Sequence, residues 1–229
     1  MSAQLPLALR WPAQQRFDSY VAGENGAGVD AVRHAAEAGG AWAYLHGPAG
    51  CGKTHLLIAA CAAAAAAGRS AQYLPLAKLG AGAGDVLRGV GGSELLAIDD
   101  LAAAGRDVEH ALFDLYNRCK VEKSTLLFAA AAAPAQLGLG LPDLVSRLSA
   151  CTQLALKPLD EATRRDAVRR RAAARGLVLD DAVLDWLFAH SQRDLGSLTA
   201  LVERLDRESL AAKRRITVPF LRKVLGRDG

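Results

Sequence analysis

Gly47-Pro48-Ala49-Gly50-Cys51-Gly52-Lys53-Thr54 follows the apolar run Trp42–His46 and leads into the apolar stretch that starts at His55. A Gly-x-x-x-x-Gly-Lys-Thr pattern between a strand and a helix is a phosphate cradle. Its glycines let successive backbone N–H groups converge on one anion, and the helix N-terminus adds partial positive charge. Gly47, Pro48, Ala49, Gly50, Cys51 and Gly52 then contribute backbone, and His55 belongs to the same nucleotide-binding turn. Lys53 is expected to reach the β- and γ-phosphates, and the Thr54 hydroxyl to ligate Mg²⁺.

The other half of such a site lies 45 residues beyond Thr54, in Leu95-Leu96-Ala97-Ile98-Asp99-Asp100. A buried strand ending in two carboxylates places Asp99 beside the metal and Asp100 where it polarises a water. Taken alone, these residues also read as a strand followed by an acidic turn. The upstream loop tips the balance toward ADP or ATP with Mg²⁺ as cofactors.

Further short apolar runs at Ala71–Leu74, Leu126–Ala130 and Gln153–Leu156 are separated by helical stretches. Strands that alternate with helices predict an α/β domain with a five-stranded parallel sheet. A helix is expected from Gly28 to Ala38, ending at Gly39-Gly40. After Pro158 only helical patterns remain, at Leu159–Arg175, Asp180–His190, Leu195–Ala212 and Pro219–Leu225. Leu195, Leu198, Val202 and Leu205 form one apolar stripe. The expected organisation is an extended arm over 1–16, a nucleotide-binding domain over 17–158 and a small helical lid over 159–229.

Composition narrows the function classes. A 51% apolar and 23% charged chain of 229 residues is globular rather than disordered. It holds no run of about 18 uncharged apolar residues and no secretory layout, so a cytoplasmic protein with no membrane partner is expected. Cys51, Cys61, Cys119 and Cys151 show no paired spacing, which argues against a zinc knuckle or a disulfide framework. A net charge of +4 is slight for a dedicated DNA binder.

The strand, the phosphate loop, the Asp-Asp strand end and the helical tail together resemble the AAA+ fold. Within it the chain resembles the family of the replication initiator DnaA, and in particular its short Hda-type homologues, over nearly its whole length. Phe17-Asp18-Ser19-Tyr20-Val21-Ala22-Gly23 is similar to the family segment that lies against adenine, which implies nucleotide contacts for Tyr20 and Val21. Leu139–Leu148 resembles the stretch bearing the arginine finger and assigns that role to Arg147; its other reading is a surface ion pair with Asp143. Ile216-Thr217-Val218-Pro219-Phe220 also looks Hda-like. The initiator's DNA-binding and helicase-contacting domains have no counterpart in this reading, which leaves only the middle module.

Gln4-Leu5-Pro6-Leu7-Ala8-Leu9 resembles the peptide by which proteins dock on the bacterial sliding clamp. Gln4 fits a polar pocket rim, and each of Leu5, Leu7 and Leu9 contributes about 1.5–3 kcal/mol if a cleft buries it. The competing reading is a terminus whose leucines pack on their own domain. Two departures from the AAA+ pattern weaken hydrolysis in cis: Ala131 stands where a polar residue orients water, and Gly196 where a lid arginine meets nucleotide, with Arg193 a turn away. The six arginines of 164–175 read as a solvated face, or as contacts for an acidic partner or DNA.

The resemblance implies a negative regulator of replication initiation. It binds ADP or ATP, docks on the clamp and uses Arg147 (with Asp100 in its own acidic pair) to drive hydrolysis by DnaA, touching DNA only indirectly and with homo-oligomers open. The alternative is a self-sufficient AAA+ ATPase such as a helicase loader.

Overall fold

The computed structural model describes residues 11–190, 195–212 and 215–226. Five strands form one parallel sheet: β1 (Trp42–His46), β2 (Ala71–Pro75), β3 (Leu95–Asp99), β4 (Thr125–Ala130) and β5 (Thr152–Ala155), in the order β2-β3-β4-β1-β5. All four pairings are parallel, so every strand points its C-terminal end to the same edge. The expected α/β class and five-stranded sheet are therefore what the chain forms. The central β3 and β4 are buried at every position, which is why they read as unbroken apolar runs rather than alternating ones. Pro75 closes β2, an edge strand, where its missing N–H costs no ladder bond.

The helices of this part are α1 (Gly26–Ala38), α2 (Lys53–Ala66), α3 (Leu76–Leu79), α4 (Ala83–Gly89), α5 (Arg106–Glu122) and α6 (Pro142–Ser149). Leu56 to Ala62 of α2 are buried without a break, as expected of a helix enclosed by protein. Its alanines combine high helix propensity with little bulk, and that gives the alanine-rich sequence a packing role. One apolar core joins Tyr44, Ile98, Leu112, Leu126 and Phe128. Each such side chain contributes about 1.5–3 kcal/mol by leaving water.

Residues 12–16 curl into a turn instead of running extended. Gln15 N–H donates to Pro12 O at 3.0 Å, and the Arg16 guanidinium donates to Trp11 O and Pro12 O at 2.8 and 2.9 Å. Asn25, 6% exposed, binds the backbone of Lys157 on both sides. Its amide donates to Lys157 O and its carbonyl accepts from Lys157 N–H, each at 2.8 Å.

The chain divides into two compact units, and the second takes in Ala49–Cys51 and the chain from Pro158 onward. From Pro158 onward the regular elements of the described residues are all helices: α7 (Glu161–Ala173), α8 (Asp181–His190), α9 (Leu195–Ala212) and α10 (Val218–Leu225). Asp160 caps α7 by accepting from Thr163 N–H at 2.8 Å, and this bond holds its carboxyl below the usual range. Leu198, Val202 and Leu205 of the expected stripe are buried against Val183, Leu187 and Leu221.

Candidate functional site

The loop between β1 and α2 turns where glycine allows it. Gly50 and Gly52 have φ of +78° and +98°, a region that side chains other than glycine rarely adopt. Gly52 is required twice, because a Cβ there would fall 2.5 Å from Tyr20 Cε2. Tyr20 thus lies on the loop, in edge contact with His55 at a centroid distance of 5.2 Å. Tyr20, expected from the sequence to flank adenine together with Val21, is thus placed against Gly52 and His55.

His55 serves that arrangement by another route. Its Nε2–H donates to Arg16 O at 2.9 Å and lies 3.4 Å from Ser19 Oγ, so the ring fastens segment 16–20 to the first turn of α2. Lys53 Nζ donates to Gly47 O and Pro48 O at 2.6 and 2.9 Å. The ammonium is thereby held against the loop by the loop's own carbonyls.

Asp99 ends β3 at 1% exposure and accepts three hydrogen bonds. Thr54 Oγ1–H and Tyr73 O–H donate to its Oδ2 at 2.6 and 2.8 Å, and Asp100 N–H donates to Oδ1 at 2.9 Å. The sequence pairing of Thr54 with Asp99 is thus direct. Tyr73 was missed, since nothing local marks it; only the alignment of β2 beside β3 brings it in.

Asp100 sits in the left-handed region, φ 60° and ψ 47°, a conformation that Asp tolerates better than most residues. Burial and the Asp99 charge raise its carboxyl pKa, against the opposing pull of Lys53 and Lys78. Two carboxylates side by side with lysines opposite fit a cation held among oxygens. Among the described residues no cluster of three His, Cys, Asp or Glu is placed to hold a metal by itself. One or two protein oxygens completed by phosphate and water is the usual coordination of Mg²⁺, and Thr54 and Asp99 fit it.

Arg147 projects from α6, half-buried, with its guanidinium 5.7 Å above the Tyr116 ring. It makes no ion pair with Asp143 among the described residues. The loop before α6 is held by Glu109 of α5, which is 5% exposed and accepts from Gly140 N–H and Leu141 N–H at 3.1 and 2.7 Å. Ala131 follows β4 directly, and Tyr44 O–H anchors that loop by donating to Ala132 O at 2.9 Å. Gly196 lies in the first turn of α9. Arg193 and the clamp-like residues Gln4, Leu5, Leu7 and Leu9 lie outside the described residues.

The lid arginines are largely neutralised within their own unit. Arg165 pairs with Asp185, Arg169 with Asp181, Arg170 with Asp166 and Arg175 with Glu203, while Arg171 donates to Thr199 Oγ1 at 2.6 Å. Little uncompensated charge is left there for nucleic-acid phosphates. No helix among the described residues is long and apolar enough to cross a membrane.

Comparison with known proteins agrees with this geometry. Residues 160–225 match the family model of the Hda lid domain. The fold is similar to domain III of the replication initiation protein DnaA from Thermotoga maritima, with a TM-score of 0.79 and 19% identity over 95% of this chain and 98% of that one. AMPPCP-bound DnaA from Aquifex aeolicus gives 0.69 and 21%, covering 89% of this chain and 69% of that one. The Holliday junction branch migration motor RuvB of Thermotoga maritima gives 0.67 and 20%, over 94% and 72%. The chain thus has the fold of domain III of DnaA, an α/β domain followed by a helical unit whose residues 160–225 match the Hda lid.

Proposed function

We propose that this Hda-like chain is a negative regulator of replication initiation that acts on the ATP site of DnaA in trans. The observation that carries the reading is the match of residues 160–225 to the Hda lid, joined to a phosphate loop of intact design. In this reading Gly47–Thr54 hold ADP or ATP, Tyr20 and Val21 flank the base, and Thr54 and Asp99 hold Mg²⁺, which neutralises charge between the phosphates. Arg193 of the lid adds a contact to the bound nucleotide. Gln4, Leu5, Leu7 and Leu9 dock the chain on the sliding clamp in the cytoplasm, and DNA is met only through those partners.

Arg147 is then free to act on a neighbour. Its perch on Tyr116 leaves the guanidinium without a carboxylate of its own helix, and a cation–π contact of about 0.5–1 kcal/mol is readily exchanged for phosphate. Ala131 and Gly196 favour this division of labour, because neither side chain orients a water or grips the nucleotide in cis. The competing assignment, a self-sufficient ATPase such as a helicase loader, uses the same Lys53, Thr54, Asp99 and Asp100.

Single-turnover conversion of ATP to ADP on DnaA, with clamp loaded on DNA, decides between them. The wild-type chain should accelerate that conversion and hydrolyse little ATP alone. Arg147→Ala should lose the stimulation by about 10³-fold or more while keeping its own nucleotide and clamp affinity. Full stimulation by the variant removes the finger assignment, and rapid hydrolysis by the isolated chain supports the motor.

A further inference from the structure

We propose that Tyr73 is a positioning residue of the phosphate site: its phenol fixes the carboxylate of Asp99 so that Thr54 Oγ1 presents its lone pairs to a divalent cation. The inference rests on the reading of Gly47–Thr54 as a nucleotide site.

The argument starts from acceptor geometry. An ionised carboxylate offers about four lone-pair positions. Oδ2 of Asp99 accepts from both Thr54 and Tyr73, and Oδ1 accepts from Asp100 N–H, so one position remains, on Oδ1. Because Asp99 can only accept, the Thr54 proton must point to it, and the oxygen lone pairs of Thr54 point elsewhere. Without the phenol, the second position on Oδ2 is unfilled in a strand end at 1% exposure, and only the bonds from Thr54 and Asp100 N–H resist turning of the carboxylate about its Cβ–Cγ bond.

The sheet explains why a tyrosine reaches this spot. Tyr73 pairs in register with Ala97, and Ala97 and Asp99 share a face of β3. A methyl side chain at 97 leaves that face open for the ring to lean toward the strand end. The phenol donates here because the carboxylate it meets can only accept.

The test is the Kd for ADP of wild type and Tyr73→Phe, by isothermal titration in Mg²⁺ and in EDTA, with melting curves to verify folding. Phenylalanine keeps the ring and removes only the donor. The variant should lose about three- to tenfold in affinity in Mg²⁺, the net worth of one ordinary hydrogen bond, and nothing in EDTA. In an Asp99→Ala background the same substitution should have no further effect.

An undiminished Mg²⁺ advantage in Tyr73→Phe overturns the proposal, and so does an equal loss in both buffers. A wild-type chain that binds ADP equally well with and without Mg²⁺ overturns it too. Absence of ADP binding by the wild type overturns both this inference and the nucleotide reading beneath it, which separates the two failures.

Discussion

Glu109 on α5 accepts the backbone N–H of Leu141, the residue preceding α6, at 2.7 Å. The same carboxylate takes Gly140 N–H, so one buried side chain sets where the helix carrying Arg147 begins. Its negative charge at a helix N-terminus is favourable in itself.

Glu109→Ala should therefore destabilise the protein by about 2–3 kcal/mol, since it leaves two N–H groups without their charged acceptor. Glu109→Gln should recover only part of this, because its amide nitrogen faces one of the two donors. Urea denaturation measures both. Stimulation of DnaA hydrolysis should fall in the same order, and a stable, fully stimulating Glu109→Ala variant contradicts the assignment.

Lys53→Ala should abolish ADP and ATP binding, because it removes the ammonium held at the loop by Gly47 O and Pro48 O. Stability should change by less than about 1 kcal/mol, as for most substitutions outside a core. Titration calorimetry reads the binding, and retained affinity would remove the nucleotide site from this loop.

Alanine at Gln4, Leu5 and Leu7 together should eliminate capture by the sliding clamp without moving the melting temperature, if the segment serves a partner rather than its own core. A lowered melting temperature with intact clamp binding would instead assign those leucines to packing.

Asp100 supplies a pH dependence whose sign is fixed by its raised pKa. The folded state holds this proton more tightly than the unfolded chain, whose ordinary value is 3.8. The associated stability is present below that value and is lost as pH rises through the folded pKa. Asp100→Asn should therefore gain on the wild type from acid toward neutral pH, and Mg²⁺ should narrow the gap by neutralising the pair. A difference that does not change with pH counts against the mutual repulsion of Asp99 and Asp100.

What the sequence disclosed followed from how local each signal is. Leu95–Asp99 and Leu126–Ala130 were legible because parallel strands buried on both faces leave continuous apolar runs. β4 nonetheless begins one residue early, at Thr125, a polar residue with no exposure whose hydroxyl accepts Gly40 N–H at 3.0 Å. Gly47–Thr54 was legible because all its parts are contiguous. Tyr73, Glu109 and the tether of His55 to Arg16 were not, since each partner lies 26 to 39 residues away. Such pairs are set by strand order and helix packing, which no short window contains. The short α3 and α4 lie in Leu76–Gly89, where four glycines dilute any helical period.

The pair of hydrogen bonds from Asn25 to the backbone of Lys157 joins positions 132 apart in sequence. Bringing such distant points together is entropically costly, and the cost is met before the contact returns anything. A contact of that kind forms late on the folding path and opens early on the way out. The clasp thus acts as a kinetic latch on the first unit: its loss shows in faster unfolding far more than in slower folding. Asn25→Ala should then shorten the resistance of this unit to proteolysis.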